Sequence, residues 1–285
     1  MSFSAAHFQT TDHVDLAYQT GNLCNSDVPA IFFCHGTGAG PQQFIPQHQF
    51  SEEYCVVIPV LRGHGHSTMP HTINTESMSL LRQALDMLEL ADHLSIKNFH
   101  FVGHSIGGLI GLELLKIAPE RLLSVTVFGV SPCPKNSIFP EWLRAQMSQW
   151  AGYNQLERIL GSTRSKDQRT VMAFHEMLTT ANRSAVFYML KSMIRHNYLE
   201  TLQANTVTPI LLIRSGEDVR INHSLDPCLE KLGEQRNIDI MRVGSASHLV
   251  NMESPDFFNQ ILRAFLTKAK LKDSKPLSIP PALQR

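Results

Sequence analysis

The sequence lacks the features that would tie a protein to a nucleic acid or a membrane. Lysine plus arginine and aspartate plus glutamate both number 25 among 285 residues, so neither charge is in excess. A balanced charge of this kind does not suggest a nucleic acid or an anionic membrane as a partner. No apolar run reaches the length of a transmembrane helix, and residues 1–7 lack the basic-then-apolar pattern of a secretory signal. We therefore expect a small-molecule partner, no nucleic acid and no membrane span.

Cysteine is also scarce, and its spacing matches no metal-binding or disulfide pattern. The five cysteines are scattered, odd in number and never in C-x-x-C spacing, which argues against both a zinc site and a disulfide framework. Cys34 and Cys55 lie in apolar runs and are expected to be small core residues. We therefore expect a protein of the reducing cytoplasm. The cysteines are Cys24, Cys34, Cys55, Cys133 and Cys228.

Patterns for cofactor binding are missing as well. Residues 36–40 (Gly-Thr-Gly-Ala-Gly) look like a phosphate-binding loop, but no Gly-Lys-Ser/Thr follows and no G-x-G-x-x-G stands in register with an acid. His64 and His66 lie in a glycine-rich loop at 62–67 without a carboxylate at metal-ligand spacing. We expect that loop to be flexible, and we expect neither a metal nor another cofactor.

What the sequence does contain is an alternation of buried strands and amphipathic helices. Such alternation predicts an α/β fold with a mostly parallel sheet and crossover helices. The expected strands are 13–18, 30–34, 55–58, 99–102, 122–128, 209–213 and 238–243, and the expected helices are 77–94, 109–118, 225–232 and 254–268.

The alternation stops after Val130 and resumes near residue 206. Residues 131–134 (Ser-Pro-Cys-Pro) break the pattern, and 141–205 read as several helices with no strand signal. We therefore divide the chain into a first core part at 1–131, a helical insertion at 132–205 and a second core part at 206–268. Residues 269–285 hold three prolines and few apolar residues, which predicts a disordered tail.

One stretch carries a specific chemical signal. The strand at 99–102 ends in Gly103-His104-Ser105-Ile106-Gly107, and a helical pattern follows at once. G-x-S-x-G between a strand and a helix is the nucleophile-elbow pattern, in which serine lies on a sharp turn. Gly103 and Gly107 have no Cβ, so strand and helix can approach closely. His104 occupies the variable place and is expected to pack rather than to act in catalysis.

A serine nucleophile needs a base, and the base needs an acid that orients it. Asp218 and His248 both follow predicted strands, whose carboxyl ends meet at one edge of a parallel sheet. The chain order Ser105, Asp218, His248 is the order of α/β-hydrolases. Glu217 is an alternative acid, because it precedes Asp218 at the same strand end.

With these motifs the chain resembles the α/β-hydrolase family, in its lid-bearing serine hydrolase form, over residues 13–268. Besides the elbow, the resemblance is carried by His35-Gly36, by the loop at 62–67, and by His248 followed by a Glu-x-Pro at 253–255. It implies a mostly parallel central sheet of about eight strands, flanked by helices and carrying a helical lid.

The resemblance also implies a role for each matching residue. Ser105 is the nucleophile, His248 the general base and Asp218 the orienting acid, while the backbone N–H groups of Thr37 and Ile106 form the oxyanion hole. Structural support around these groups is assigned to His35, Gly36, Arg62, Gly103 and Gly107.

The function that this set predicts is carboxylesterase-like hydrolysis of an ester, lactone or related acyl bond through an acyl-enzyme. Trp142, Trp150, Phe174 and Tyr188 in the insertion suggest an apolar substrate. Ser105 argues against relatives that use an aspartate nucleophile. Two alternatives remain: other chemistry on the same fold, such as C–C bond hydrolysis, and a relative that binds a small molecule without turnover.

Overall fold

The computed structural model describes residues 3–21, 28–133, 165, 167–193 and 196–270. Residues 271–285 of the expected tail lie outside the described residues, as do Trp142 and Trp150 of the expected insertion. No helix in the described ranges is long and apolar enough to cross a membrane.

An eight-stranded sheet forms the centre of the molecule. Its spatial order is β1-β2-β4-β3-β5-β6-β7-β8, with β1–β2 and β2–β4 antiparallel and every other pair parallel. The predicted fold class, a mostly parallel α/β sheet, is confirmed. The strands are β1 (Ser4–Gln9), β2 (Asp15–Thr20), β3 (Ala30–Cys34), β4 (Cys55–Pro59), β5 (Phe99–His104), β6 (Leu122–Phe128), β7 (Ile210–Ser215) and β8 (Ile238–Val243).

Helices flank this sheet. Two 3₁₀ segments, Pro41–Glu52 and Pro119–Arg121, add to them. The described α-helices are α1 (Leu80–His93), α2 (Ile106–Ile117), α3 (Gln168–Thr179), α4 (Arg183–Ser192), α5 (Leu199–Ala204), α6 (Val219–Leu232), α7 (Val250–Glu253) and α8 (Pro255–Lys270).

The core has one apolar layer on each face of the sheet, and β3 shows how the sequence builds both. All five of its residues are buried. Phe32 and Cys34 pack into the layer that contains α1 and α2, whereas Ile31 and Phe33 pack into the layer beneath α8. A strand covered on both faces needs a continuous apolar run instead of an alternating one.

Strand β1 and the 3₁₀ segment at Pro41–Glu52 were missed by the sequence analysis, besides the short elements Pro119–Arg121 and α7. Strand β1 has only Phe8 buried, so it carries no clear alternation of polar and apolar residues. The 3₁₀ segment at Pro41–Glu52 contains Pro46 and buries polar Gln43 and Gln47, which hides its inward face. Helix α6 also begins six residues before the predicted Leu225, at Val219, because the Asp218 side chain caps it by accepting the Ile221 N–H at 3.4 Å.

The expectation of no disulfides is wrong. Cys133, five residues after the end of β6, is bonded to Cys228 of α6 across 95 residues, with the two Cα atoms 5.7 Å apart. Cys55 is buried as predicted, but it too is disulfide-bonded. Cys34 is a free, buried cysteine. A pairing across such a separation depends on the folded topology and leaves no signature in the spacing of scattered cysteines.

Helices α3 and α4, which fall within the expected insertion at 132–205, are held in different ways. Helix α4 joins the main core through fully buried Ala185 and Met189. Its N-cap residue Asn182 donates its N–H to the carbonyl oxygen of Gly63 at 2.7 Å, and a Cβ at Gly63 would lie 2.4 Å from the Ala185 Cβ. Helix α3 instead exposes 72% of Met172, and among the described residues it packs through one edge, which contains Phe174 and Met177.

Candidate active site

Ser105 lies between β5 and α2 in a conformation that non-glycine residues rarely adopt. Its φ and ψ are 52° and −117°, and its N–H donates to the carbonyl oxygen of Phe128 at 2.9 Å. A Cβ on Gly103 would lie 2.2 Å from the Gly107 oxygen, and one on Gly107 would lie 2.3 Å from the Cys34 oxygen. Only glycine fits at either position, so the strained turn brings α2 directly onto the ends of β3 and β5.

His248 and Asp218 meet at the ends of β8 and β7. Nδ1 of His248 lies 2.6 Å from Oδ2 of Asp218, and both side chains are largely buried. Burial acts to raise the pKa of Asp218, but the His248 charge and hydrogen bond outweigh it, so the pKa lies below its usual range. An ionised Asp218 accepts the Nδ1 proton and leaves Nε2 of His248 free to take a proton.

Ser105 and His248 share no hydrogen bond in the described part of the chain. Ser105 and His248 nevertheless lie close to glycines of two neighbouring loops, Gly36 after β3 and Gly129 after β6. A Cβ on Gly36 would lie 3.4 Å from the Ser105 Cβ, and one on Gly129 would lie 3.2 Å from Cε1 of His248. Loose nucleophile–base contacts are common in proteins without bound substrate, and they tighten when the reacting group is present.

The loop after β3 has most of its backbone N–H groups engaged. The Gly36 N–H donates to Oε1 of Gln43 at 3.2 Å, the Gly38 N–H to Nε2 of His64 at 2.9 Å, and the Ala39 N–H to the Gly36 oxygen at 3.1 Å. Among described residues, the Thr37 N–H has no partner, and its buried hydroxyl has none either. Ile106, as the first residue of α2, has a helix N-terminal N–H of the kind that binds anions.

Two buried histidines hold this loop in place, and their hydrogen bonds fix the tautomer of each ring. Nε2 of His35 accepts the Leu61 N–H at 3.1 Å, so its Nδ1 carries the proton and donates to the Gly36 oxygen. His64 repeats the arrangement, with Nε2 accepting from Gly38 and Nδ1 donating to the Arg62 oxygen. Burial lowers the pKa of His35 to about 3 and that of His64 to about 4, so both rings are neutral.

The expectation of a flexible loop around His64 is therefore wrong, because this side chain is fully buried. His66 is exposed. No group of three or more metal-ligating side chains is assembled within the described ranges.

Arg62 anchors the loop after β4, which also carries His64. The side chain is fully buried and uses all its N–H groups, on both oxygens of Asp86, both oxygens of Asp12 and the carbonyl oxygen of Ser77. Burial costs the guanidinium solvation, but the two carboxylates outweigh it and raise the pKa of Arg62 above its usual range. Arg62 thus ties the loop after β4 to α1 and to the turn between β1 and β2.

A second polar network holds the loop that carries His248. The Glu253 carboxylate accepts both the N–H of Ser247, at 2.8 Å, and its hydroxyl. The side-chain amide of Asn251 donates to the backbone oxygen of Gln43 at 2.9 Å and to Oε1 of Gln47 at 3.0 Å. Because Gln43 also accepts the Gly36 N–H, one network joins the His248 loop to the loop after β3.

Sequence reasoning missed His64, Gln43 and the bond between Ser247 and Glu253. Glu253 was visible only as part of the Glu-x-Pro that opens the last helix. Gln43 carries no signal, because an amide in an irregular 3₁₀ segment looks like a surface residue until its partners are known. His64 was assigned to a flexible loop because the glycines beside it suggested mobility.

A strained serine after a central parallel strand, with a His–Asp pair after later strands, is the arrangement of α/β-fold serine hydrolases. The comparison with protein families agrees. Residues 29–184, more than half of the chain, match the family of the alpha/beta hydrolase fold. The chain belongs to this hydrolase family, as the sequence motifs predicted.

Individual relatives lie at low identity but near-complete coverage. A putative esterase/lipase from Haemophilus influenzae is 25% identical over 93% of this chain and 95% of its own length. The 3-oxoadipate enol-lactonase 1 of Acinetobacter baylyi is 25% identical over 84% of this chain and 89% of its own. In structure, the enol-lactonase of Burkholderia xenovorans superposes with a TM-score of 0.79 at 19% identity, covering 92% of this chain and all of that one.

Proposed function

We propose that this protein is a carboxylesterase-like serine hydrolase that cleaves an ester, lactone or related acyl bond of a small, apolar substrate. The observation that carries the proposal is the 2.6 Å contact between His248 and Asp218 beside a serine held at φ 52°. The named activities of the esterase/lipase and enol-lactonase relatives support the same bond class.

The reaction follows from the roles of these groups. His248 Nε2 takes the hydroxyl proton as Ser105 Oγ attacks the acyl carbon, and the Asp218 carboxylate stabilises the imidazolium that forms. The tetrahedral oxyanion accepts hydrogen bonds from the N–H groups of Thr37 and Ile106, and each bond stabilises the transition state by roughly 2.7–4 kcal/mol. His248 then protonates the leaving alcohol, which departs from the acyl-enzyme. Water attacks the acyl carbon by the same steps and frees Ser105.

The assignment of Thr37 is supported by the engagement of its neighbours. An oxyanion donor must be free before the substrate arrives, and the adjacent Gly36, Gly38 and Ala39 N–H groups are all engaged. The supporting roles of His35, Gly36 and Arg62, and of Gly103 and Gly107 at the elbow, rest on the contacts described above.

The division into core parts at 1–131 and 206–268 around an insertion at 132–205 is also a proposal. It is supported by β6 and β7 being adjacent, parallel strands, although the insertion separates them in sequence. A cytoplasmic location stays a prediction, and the cysteines no longer favour it, because disulfide bonds are rare in reducing compartments.

The first test is Ser105→Ala assayed on a short p-nitrophenyl ester. Removing the nucleophile of such a triad lowers kcat by several orders of magnitude, while binding and the oxyanion hole leave a small residual rate. We expect that loss with an unchanged melting temperature. Retention of the wild-type rate would overturn the role of Ser105.

A second test separates Asp218 from the alternative acid Glu217. Asp218→Asn removes the charge that orients His248, so we expect kcat to fall by about a thousandfold or more. Glu217→Gln is the matched control, because it makes the same chemical change one residue away. If Glu217→Gln proves the more damaging variant, the acid has been assigned wrongly.

Substrate choice is expected to follow from the insertion. Phe174 and Met177 of α3 pack against Ala39, beside the proposed oxyanion hole, and against Leu249, beside His248. An apolar boundary at this place favours an apolar substrate group. Rates on acyl esters and lactones of graded length would define that group, and mass-spectrometric trapping of an acyl-enzyme would separate ester hydrolysis from C–C bond cleavage.

A further inference from the structure

His104, the variable residue of the elbow, is enclosed where four strand ends meet. The ring is 2% exposed, and its centroid lies 5.0 Å from that of the Phe128 ring, with the two planes tilted by 35°. Its centroid lies 4.6 Å from that of His248, with the ring planes at 70°. Its Nε2 lies 3.1 Å from the backbone oxygen of His248, whereas its Nδ1 is buried without a partner.

The contact fixes which ring nitrogen carries the proton. A carbonyl oxygen can only accept, so Nε2 of His104 must be the donor. If the proton were on Nδ1 instead, the bond to the carbonyl oxygen would be lost, and an N–H donor without a partner would be buried. The uncharged Nε2–H tautomer is therefore the one that fits.

We propose that His104 is a positioning residue for catalysis, and that its Nε2–H, donated to the His248 carbonyl oxygen, holds the general base in place. The inference rests on the proposed role of His248. It goes beyond the packing role that the sequence suggests for the variable position of the elbow.

Two glycines make room for this ring. A Cβ on Gly36 would lie 2.5 Å from Nδ1 of His104, and one on Gly129 would lie 2.8 Å from its Nε2. Gly129 has φ +63°, a conformation that L side chains rarely adopt, so it is suited to glycine for two reasons. The ring thus fills a space bounded by the loops after β3 and β6, and its one donor points at the loop after β8.

The neutral state of His104 matters to its neighbour. Burial and the nearby His248 charge lower the pKa of His104 well below its usual range, with a smaller contribution from His35. An uncharged ring leaves His248 free to become an imidazolium during the reaction without a second cation against it. The bond to the carbonyl oxygen and the Glu253 contacts to Ser247 hold consecutive residues of the same loop.

The test uses three substitutions that differ in where a donor remains. In His104→Gln the side-chain amide nitrogen occupies the place of Nε2, and in His104→Asn it lies near the place of Nδ1. His104→Phe keeps the ring volume without any donor. We expect kcat to fall by about ten- to a hundredfold in the Phe and Asn variants, with little change in KM, because a small displacement of a catalytic group has this effect. The Gln variant should recover most of that loss.

Thermal unfolding of each variant serves as the control for folding. A packing role alone would favour the ring-shaped Phe variant over the Gln variant, so the order Phe above Gln would overturn the proposal. Equal rates for Gln and Asn would overturn it as well, because the location of the donor would then not matter.

A measurement on the unaltered protein keeps the proposal testable if the variants fail to fold. Nitrogen-15 NMR of the imidazoles at neutral pH should show His104 neutral and protonated on Nε2. A proton on Nδ1, or a charged ring, would overturn the positioning role. This result does not depend on activity. If Ser105→Ala keeps its esterase rate, the proposed function fails, whereas a wrong tautomer with an inactive Ser105→Ala defeats only the inference about His104.

Discussion

The loops beneath the candidate active site and the helices above it are held by different forces. Directional hydrogen bonds and ion pairs hold the loops, through the side chains of His35, His64 and Arg62. The insertion helices are held mainly by apolar packing, at Met189 in α4 and at Phe174 in α3. Hydrogen bonds fix individual atoms, whereas apolar burial is non-directional and tolerates changes of shape.

This difference matches what each region has to do. A nucleophile, a base and two oxyanion donors must be kept within a fraction of an ångström, which buried polar networks can achieve. Helices α3 and α4, as parts of the proposed insertion over the site, need only an apolar surface of suitable shape. We therefore expect changes in the loops to damage catalysis and stability together, and changes in α3 to act on substrate choice.

The largest effect is expected from Arg62→Ala. It leaves Asp86 buried without its main partner, and breaking a buried pair on one side costs about 3–5 kcal/mol. Arg263→Ala is the matched control, because its ion pair with Glu53 is substantially exposed and should contribute at most about 1 kcal/mol. Urea unfolding measures both. A loss for Arg62→Ala as small as the control would contradict the role of the buried network.

A smaller loss of stability is expected in the proposed insertion, where the same Met→Ala substitution can be compared in helices α4 and α3. Met189→Ala in α4 removes a fully buried side chain and should cost about 2–5 kcal/mol. Met172→Ala in α3 removes a side chain that is 72% exposed and should change stability by at most about 0.5 kcal/mol. Equal losses, measured by urea unfolding, would mean that α3 and α4 are not held differently.

The smallest effect, counted for each residue and each pH unit, is a pH dependence that arises from the buried histidines. Burial lowers the pKa to about 3 for His35 and about 4 for His64 and His100, and it lowers the pKa of His104 well below its usual range. The unfolded chain therefore binds more protons below pH 6.5, so stability is lost as the pH falls from about 6.5 towards 4.

Each such proton contributes about 1.4 kcal/mol per pH unit to the slope. Asp86 acts in the opposite direction, because burial raises its pKa to about 6, despite Arg62, but four histidines outweigh one carboxylate. Urea unfolding at a series of pH values measures the slope. These histidines contribute nothing at pH 7.5 and above, where they are neutral in both states, and that range serves as the internal control. Stability that is constant or rises as the pH falls from 6.5 to 5 would contradict their burial as neutral rings.

The sequence was informative where chemistry and chain order constrain each other. Strands β3, β6 and β8 match the predicted ranges, because their buried runs end in glycine, proline or polar residues. Ser105, Asp218 and His248 follow strand ends in the order of the family, and the structure brings Asp218 and His248 into contact. The sequence favours Asp218 but leaves Glu217 as an alternative acid, since both lie within three residues of the end of β7.

Long-range polar partners were beyond the reach of the sequence. The contact of Gln43 with Asn251 spans 208 residues, and that of His104 with His248 spans 144. The disulfide between Cys133 and Cys228 belongs to the same class, because its pairing is decided by where β6 and α6 lie in the fold. Periodicity reports which face of an element is buried, but not which polar groups meet across the core.

The most direct test of the account is to label the protein with a fluorophosphonate and map the adduct by peptide mass spectrometry. Such probes react with a serine only when a base and an oxyanion hole activate it. We predict a single adduct on Ser105, abolished by Ser105→Ala and strongly slowed by Asp218→Asn. An unlabelled protein, or an adduct on another serine, would contradict the assignment and favour a relative that binds a small molecule without turnover.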